Sequence, residues 1–121
     1  MEIKRQPAKS FRDLIVWQKA HELVLDVYRV TKGFPQEEVY ALTSQIRRSS
    51  MSVAANIAEG FKKKSSADKL RILNIAQGSL SETEYFLVLA SDLKYNDMTN
   101  PKMKAEEVSK LLEGYMKAIR N

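Results

Sequence analysis

At 121 residues with 44% hydrophobic side chains, the chain is long enough to bury one core and too apolar to be largely disordered. It contains no cysteine, which excludes disulfides and thiolate metal sites and fits a reducing compartment. The formal net charge of +5, from 20 basic and 15 acidic residues, invites polyanionic partners without requiring one.

The N-terminus is basic and polar, with Lys4, Arg5, Lys9 and Arg12 against Glu2, and lacks the apolar run of a secretory signal. Residues 1–9 read as a flexible basic arm and residues 10–121 as one domain. No stretch approaches the roughly 20 apolar residues of a membrane span, so a soluble, cytoplasmic protein is expected. The remaining charge is uneven. Lys62, Lys63, Lys64, Lys69 and Arg71 oppose only Asp68 over residues 62–71, whereas Glu82, Glu84, Asp92 and Asp97 outweigh Lys94 over residues 79–97.

Gly33-Phe34-Pro35, Gly60 through Ser66 and Tyr95 through Pro101 punctuate four segments that each read as helix. The first is predicted from about Asp13 to Lys32, with Leu14, Trp17, Ala20 or His21, Val24, Val27 or Tyr28, and Thr31 on one face. Ser10 with Asp13 is its expected cap, and Gly33 its left-handed stop. The second is predicted from about Gln36 to Glu59. Leu42, Ile46, Ser50, Val53 and Ile57 form its inward stripe, Glu37 and Glu38 its first turn, and Gly60 its C-terminal cap. The third, from about Ala67 to Tyr95 with Ser66 as cap, spans on the order of 40 Å. It carries two adjoining stripes: Leu73, Ala76, Leu80, Leu87 and Ala90, then Ile72, Ile75, Phe86, Leu89 and Leu93. Two stripes require more than one neighbour. The fourth is predicted to start with Asn100 as cap and Pro101 as first helical residue, burying Val108, Leu111, Leu112, Tyr115 and Ile119. No segment alternates with period two for long enough to argue a strand. The pattern is that of an all-α, up-down-up-down four-helix bundle.

Two places carry polar residues where a plain bundle would carry leucine. On the second helix, Gln45, Ser49, Ser52, Asn56 and Glu59 recur at spacings of three and four, with Arg47 and Arg48 at the edge. They read either as a solvent-facing stripe or as a buried or interfacial hydrogen-bond ladder. On the third, Gly78, Ser79, Ser81, Glu82 and Glu84 interrupt the apolar pattern. A mid-helix glycine suggests close backbone packing, and Ser79 and Glu82 align with Ile75 and Phe86. A carboxylate there wants a cationic or amide partner, so Glu82 or Glu84 is expected to pair with the second helix, within the chain or across a subunit contact.

Catalytic constellations are absent from the pattern. His21 is the sole histidine, so it reads as structural or partly exposed rather than as a ligand. No Glu-x-x-His pair of a bundle di-iron site, nucleophile elbow, P-loop or G-x-G-x-x-G occurs. The chain is therefore expected to be no enzyme, with no cofactor, metal or small-molecule substrate. The strongest signal for a polyanion is Lys62-Lys63-Lys64, joined by Lys69 and Arg71.

Phe11-Arg12-Asp13-Leu14 with Val16-Trp17-Gln18, then Phe34-Pro35, resembles the opening of the small bacterial four-helix-bundle proteins encoded in 23S rRNA intervening sequences. Gln45-Ile46-Arg47-Arg48-Ser49-Ser50 through Asn56-Ile57-Ala58-Glu59-Gly60 is similar to that family's most distinctive motif, and Gly78-Ser79-Leu80-Ser81-Glu82-Thr83-Glu84-Tyr85 to its second. The likeness runs through roughly residues 11–95, in order and spacing. It implies an antiparallel four-helix bundle assembled as a ring-like homopentamer, cytoplasmic and without cofactor. Accessory proteins of diversity-generating retroelements are similar in architecture, with basic pentamers holding nucleic acid. Under this resemblance Gln45, Arg47, Arg48, Asn56, Glu59, Ser79 and Glu82 would build a polar network or subunit contact. The function expected is a non-catalytic homo-oligomeric scaffold that binds RNA through basic surfaces. A protein–protein interaction module with no nucleic-acid role is the alternative.

Overall fold

The computed structural model describes residues 7–121, so Lys4 and Arg5 and most of the expected arm lie outside the described residues. Four helices follow one another: α1 Ile15–Thr31, α2 Leu42–Lys62, α3 Ser66–Asp92 and α4 Thr99–Arg120, with no strand among the described residues. The α1 helix packs against α2 and α4, and α3 against the same two, most extensively against α2. No helix among these is long and apolar enough to cross a membrane.

The helix ends show where local signals were ambiguous. Ser10 does cap, but it caps a 3-10 turn, Phe11–Asp13, ahead of α1: its Oγ accepts from Arg12 N at 3.1 Å and its own N–H donates to Asp13 at 3.1 Å. Gly33 is not a left-handed stop, because no described glycine has positive φ. It makes room instead. A Cβ there would sit 3.0 Å from Asn96 Nδ2, which donates to Val30 O at 2.9 Å and closes the end of α1. Residues Gln36–Glu38 form a separate 3-10 turn, and the unusual Ala41 backbone (φ −121°, ψ −107°) delays α2 to Leu42. Gly60 does not stop α2, which runs on to Lys62. A Cβ at Gly60 would lie 3.2 Å from the Leu73 side chain, so this glycine serves close approach of α2 and α3. The cap of α3 is Ser65 rather than Ser66, its Oγ accepting from Asp68 N at 3.1 Å.

The left-handed stop falls after α3, at Lys94 (φ 61°). Tyr95 N donates to Ala90 O at 3.1 Å, the bond pattern that normally recruits glycine. Tyr95 is anchored on both sides, its ring 5.4 Å from Phe34 and its hydroxyl donating to Glu38 at 2.7 Å. At α4 the terminus is held by Asp97, whose carboxylate accepts from Thr99 N at 3.0 Å and Thr99 Oγ1 at 2.6 Å. Pro101 is the third helical residue and buried, a position where the missing N–H would have had no helical partner.

The expected inward stripes of α2 and α3 are buried: Leu42, Ile46, Ser50, Val53 and Ile57 on one, Leu73, Ala76, Leu80, Leu87 and Ala90 on the other. In α1 the buried set is Val16, Ala20, Leu23, Val27, Val30 and Thr31, while Leu14, Trp17 and Val24 pack at its border. The helix is apolar over a wide arc, and packing selects which part faces inward. In α3's second stripe Ile72 is buried, Phe86 and Leu89 are half-buried, and Ile75 and Leu93 are exposed. In α4, Ala105 and Met116 join Val108 and Leu112 in the core, with Leu111, Tyr115 and Ile119 half-buried.

Candidate nucleic-acid interface and the polar seam

The α2–α3 connection is three residues long, so the end of α2 and the start of α3 bring the predicted lysines together. Their roles diverge. Lys62 and Lys64 are exposed and have no carboxylate within 4 Å among the described residues. Lys63 reaches Glu59 only at 3.9 Å, and Arg71 reaches Asp68 only at 3.9 Å. Such marginal surface pairs contribute little and compete poorly with a phosphate. Lys69 differs. Its Nζ donates to Phe61 O at 2.8 Å and Gly60 O at 3.3 Å and lies 5.5 Å from the Phe61 ring centroid. It closes the C-terminus of α2, where cations suit the helix dipole, so Lys69 is less free to meet a ligand than its neighbours.

The predicted polar network separates into parts. Ser52 Oγ and Ser79 Oγ are 2.7 Å apart across the α2–α3 seam, and Asn56 Nδ2 donates to Ser52 O at 2.8 Å and Ser52 Oγ at 3.0 Å. One turn away, Thr83 Oγ1 lies 2.8 Å from Ser49 Oγ and 2.9 Å from Ser79 O, sharing one proton between them, while Ser49 donates to Ile46 O at 3.2 Å. Ser49, Ser79 and Thr83 are buried. Such short hydroxyls are satisfied within the pair of helices and allow its close packing.

The other predicted members point elsewhere. Arg47 turns to α1: Nε donates to Thr31 Oγ1 at 2.8 Å and the guanidinium carbon lies 4.4 Å from the Tyr28 ring centroid. Gln45, Arg48, Glu59 and Glu82 are exposed, and neither Gln45, Arg48 nor Glu82 has a hydrogen bond or ion pair from its side chain among the described residues. Within the chain the expected pairing of Glu82 or Glu84 with α2 does not occur, because Glu82 faces outward and Glu84 faces Glu106 of α4. Burial, then that like charge, raises the Glu84 carboxyl above its ordinary range. Gly78 meets nothing within 4 Å of a built Cβ, so no backbone packs closely on it inside the chain.

The part Thr83 takes in the seam and the Arg47–Tyr28 stack are not among the contacts expected from sequence. Thr83 follows Ser79 by four residues as Asn56 follows Ser52, and that shared spacing was the available signal. The stack bridges α1 and α2 across a loop and leaves no such trace. His21 is exposed and stacks on Trp17 with ring centroids 5.1 Å apart. Among the described residues, no three His, Asp or Glu side chains converge as metal ligands.

The family profile described as 23S rRNA-intervening sequence protein matches residues 12–114. A crystal structure from Bacteroides thetaiotaomicron VPI-5482, described as a protein of unknown function from the S23 ribosomal protein family, is similar at 31% identity and a TM-score of 0.77. The similarity covers 85% of this chain and 96% of that one. No curated protein matches the chain.

Proposed function

The chain belongs to the 23S rRNA-intervening sequence protein family, and we propose that it is a non-catalytic, homo-oligomeric scaffold that binds RNA through basic surfaces. The observation that carries this reading is the α2–α3 tip. There Lys62 and Lys64 stand exposed without an ion-pair partner among the described residues, and Lys63 and Arg71 hold carboxylates only at 3.9 Å. A sequence-independent phosphate contact needs such loosely committed cations. RNA is the nucleic acid favoured by the family's description, which names ribosomal RNA.

The finer architecture proposed is an antiparallel up-down-up-down bundle in the cytoplasm, assembled as a homopentamer. Paired positions support the antiparallel order, since they advance along one helix as they recede along the next: Ser49 with Thr83, Ser52 with Ser79, Gly60 with Leu73. Assembly is supported by an outward face of α3 that carries Ile75, Tyr85 and Val88, each about half exposed, beside Gly78. A ring would repeat each lysine tip around its axis and strengthen weak phosphate binding by multivalency.

The test is binding to structured RNA, duplex DNA and heparin over a salt series, with mass measured by light scattering. The expected result is an oligomer that prefers RNA. Replacing Lys62, Lys63 and Lys64 by Ala should lower the salt slope by roughly two to three, on the order of one unit for each phosphate no longer neutralised. RNA bound no better than heparin, or an unchanged triple variant, would overturn the reading in favour of a protein-interaction module.

A further inference from the structure

At the opposite end of α2, about 30 Å from the lysine tip for a helix of this length, a groove of about 650 Å³ opens between α1, the Gln36–Glu38 turn and α2. Its size suits a small aromatic ligand. Lys32, Arg47 and Arg48 line it, and no carboxylate among the described residues does. None of the three cations has an ion-pair partner within 4 Å among the described residues. Arg47 is held in place by Thr31 and Tyr28, so its terminal N–H groups are the ones left for a ligand.

Three further observations point to what the groove takes. Among the described residues no side chain caps the N-terminus of α2, whose second and third residues, Thr43 and Ser44, line the groove. Uncapped first-turn amides and the helix dipole favour an anion. Thr43 is 6% exposed, and its Oγ1 is the one buried side-chain oxygen or nitrogen among the described residues without a hydrogen-bond partner. That oxygen is closed to water, and since Thr43 lines the groove, an oxygen-bearing ligand there supplies the missing bond once the side chain turns outward. Beside it Tyr40 is 96% exposed, with Val39 and Met51 also open to water. A ring that gains nothing from the fold offers both faces for stacking.

We infer that this groove binds a nucleotide unit, with the phosphate at the α2 N-terminus among Thr43, Arg48 and Lys32 and an unpaired base stacked on Tyr40. The ligand class agrees with the proposed RNA scaffold, but the surface is separate from the lysine tip. It would give the protein a preference for unpaired over duplex strands, which the lysines alone cannot confer.

The experiment uses the full chain and a single-stranded RNA oligomer carrying 2-aminopurine, alongside the same sequence as duplex, AMP and inorganic phosphate. Stacking on Tyr40 should quench the fluorophore in the single strand and not in the duplex. Tyr40→Ala should weaken single-strand binding about tenfold, Tyr40→Phe should restore it, and Arg48→Ala should weaken it several-fold. Thr43→Val should weaken phosphate and AMP binding while leaving the thermal midpoint equal or higher. AMP binding as tightly as the oligomer would identify a free nucleotide as the ligand within the same chemistry. Unchanged affinity in both Tyr40→Ala and Arg48→Ala would overturn the assignment. Because the Lys62/Lys63/Lys64 triple variant keeps the groove, loss of RNA binding there with retained 2-aminopurine quenching separates the two surfaces. Absence of quenching by the parent protein, with RNA binding still lost in the triple variant, would remove the groove and keep the scaffold.

Discussion

On the inward side of the α2–α3 pair, Ser49, Ser52, Ser79 and Thr83 meet across the seam at hydrogen-bond distance. On the outward side, Gln45, Arg48, Glu59 and Glu82 come from the same two helices, yet none of them bonds across to the other helix. The spacing in sequence is alike; the side-chain lengths are not. A hydroxyl one bond from Cβ reaches a neighbour only where backbones are close, and it can fall back on its own helix carbonyl. A long charged chain is poorly accommodated in so tight a seam and remains solvated unless another molecule meets it. The difference teaches which half of the motif holds the monomer together and which half is open to an outside partner.

The two glycines of this pair give the strongest way to break that division. Gly60 sits on the inward side, where a Cβ would press Leu73, itself fully buried, at 3.2 Å. Gly60→Val should destabilise the fold by about 2 kcal/mol, the overpacking cost exceeding the helix-propensity gain. Gly78 sits where a Cβ meets nothing, so Gly78→Ala should stabilise the monomer by about 0.5–1 kcal/mol. Urea denaturation of both variants checks the sign. If the outward face closes an oligomer, Gly78→Ala should also weaken assembly by light scattering. Equal signs for the two would erase the distinction.

A smaller effect separates the neighbouring residues Glu82 and Thr83. Thr83→Val keeps the shape but removes the hydroxyl from Ser49 and the Ser79 carbonyl, and should cost about 1 kcal/mol. Ser49 keeps its bond to Ile46 O, which limits the loss. Glu82→Ala, one residue away and exposed, should stay within about 0.5 kcal/mol. A Glu82→Ala variant as unstable as Thr83→Val would mean that the outward carboxylate does hold the monomer.

The sequence resolves the fold at the level where periodicity is strict. The α2 and α3 core stripes follow from residues three and four apart, and Ser10 with Asp13 does form a capping box, though on the 3-10 turn ahead of α1 rather than on α1 itself. It misleads where one residue type serves two physical ends. Gly33 and Gly60 look like helix stops, but one yields space to Asn96 and the other to Leu73. In α1, Val16, Leu23 and Val30 compete with Leu14, Trp17 and Val24 for the core, and only the neighbouring helices decide. The lysine tip is visible as charge, whereas the use of Lys69 to close α2 depends on that helix continuing past Gly60. The groove at the other end is invisible in sequence, since Lys32, Tyr40 and Arg48 are brought together only by the loop between α1 and α2.

The smallest effect concerns a third direction of α3, where Glu84 faces α4. Burial, and then Glu106, raises its carboxyl above the ordinary value of 4.5. The charged form is therefore disfavoured in the fold, and the penalty is complete at neutral pH. It is relieved as pH falls through the raised folded value, and below 4.5 both states are protonated and the contribution is constant. Glu84→Gln should stabilise the protein at pH 7, and that advantage should shrink on acidification and vanish below about pH 4.5. Glu22 is the opposite case, lowered first by its hydrogen bond to Lys104, so its contribution is present above 4.5 and lost as pH falls through the depressed value. Glu22→Gln should therefore destabilise at pH 7, with the deficit also closing toward acid. Urea midpoints from pH 7 down to about pH 3 should show both variants converging on the parent protein from opposite sides, Glu84→Gln above 4.5 and Glu22→Gln only below it. Convergence from the same side would mean that Glu84 has found a cation, and so that α3 meets a partner on this face as well.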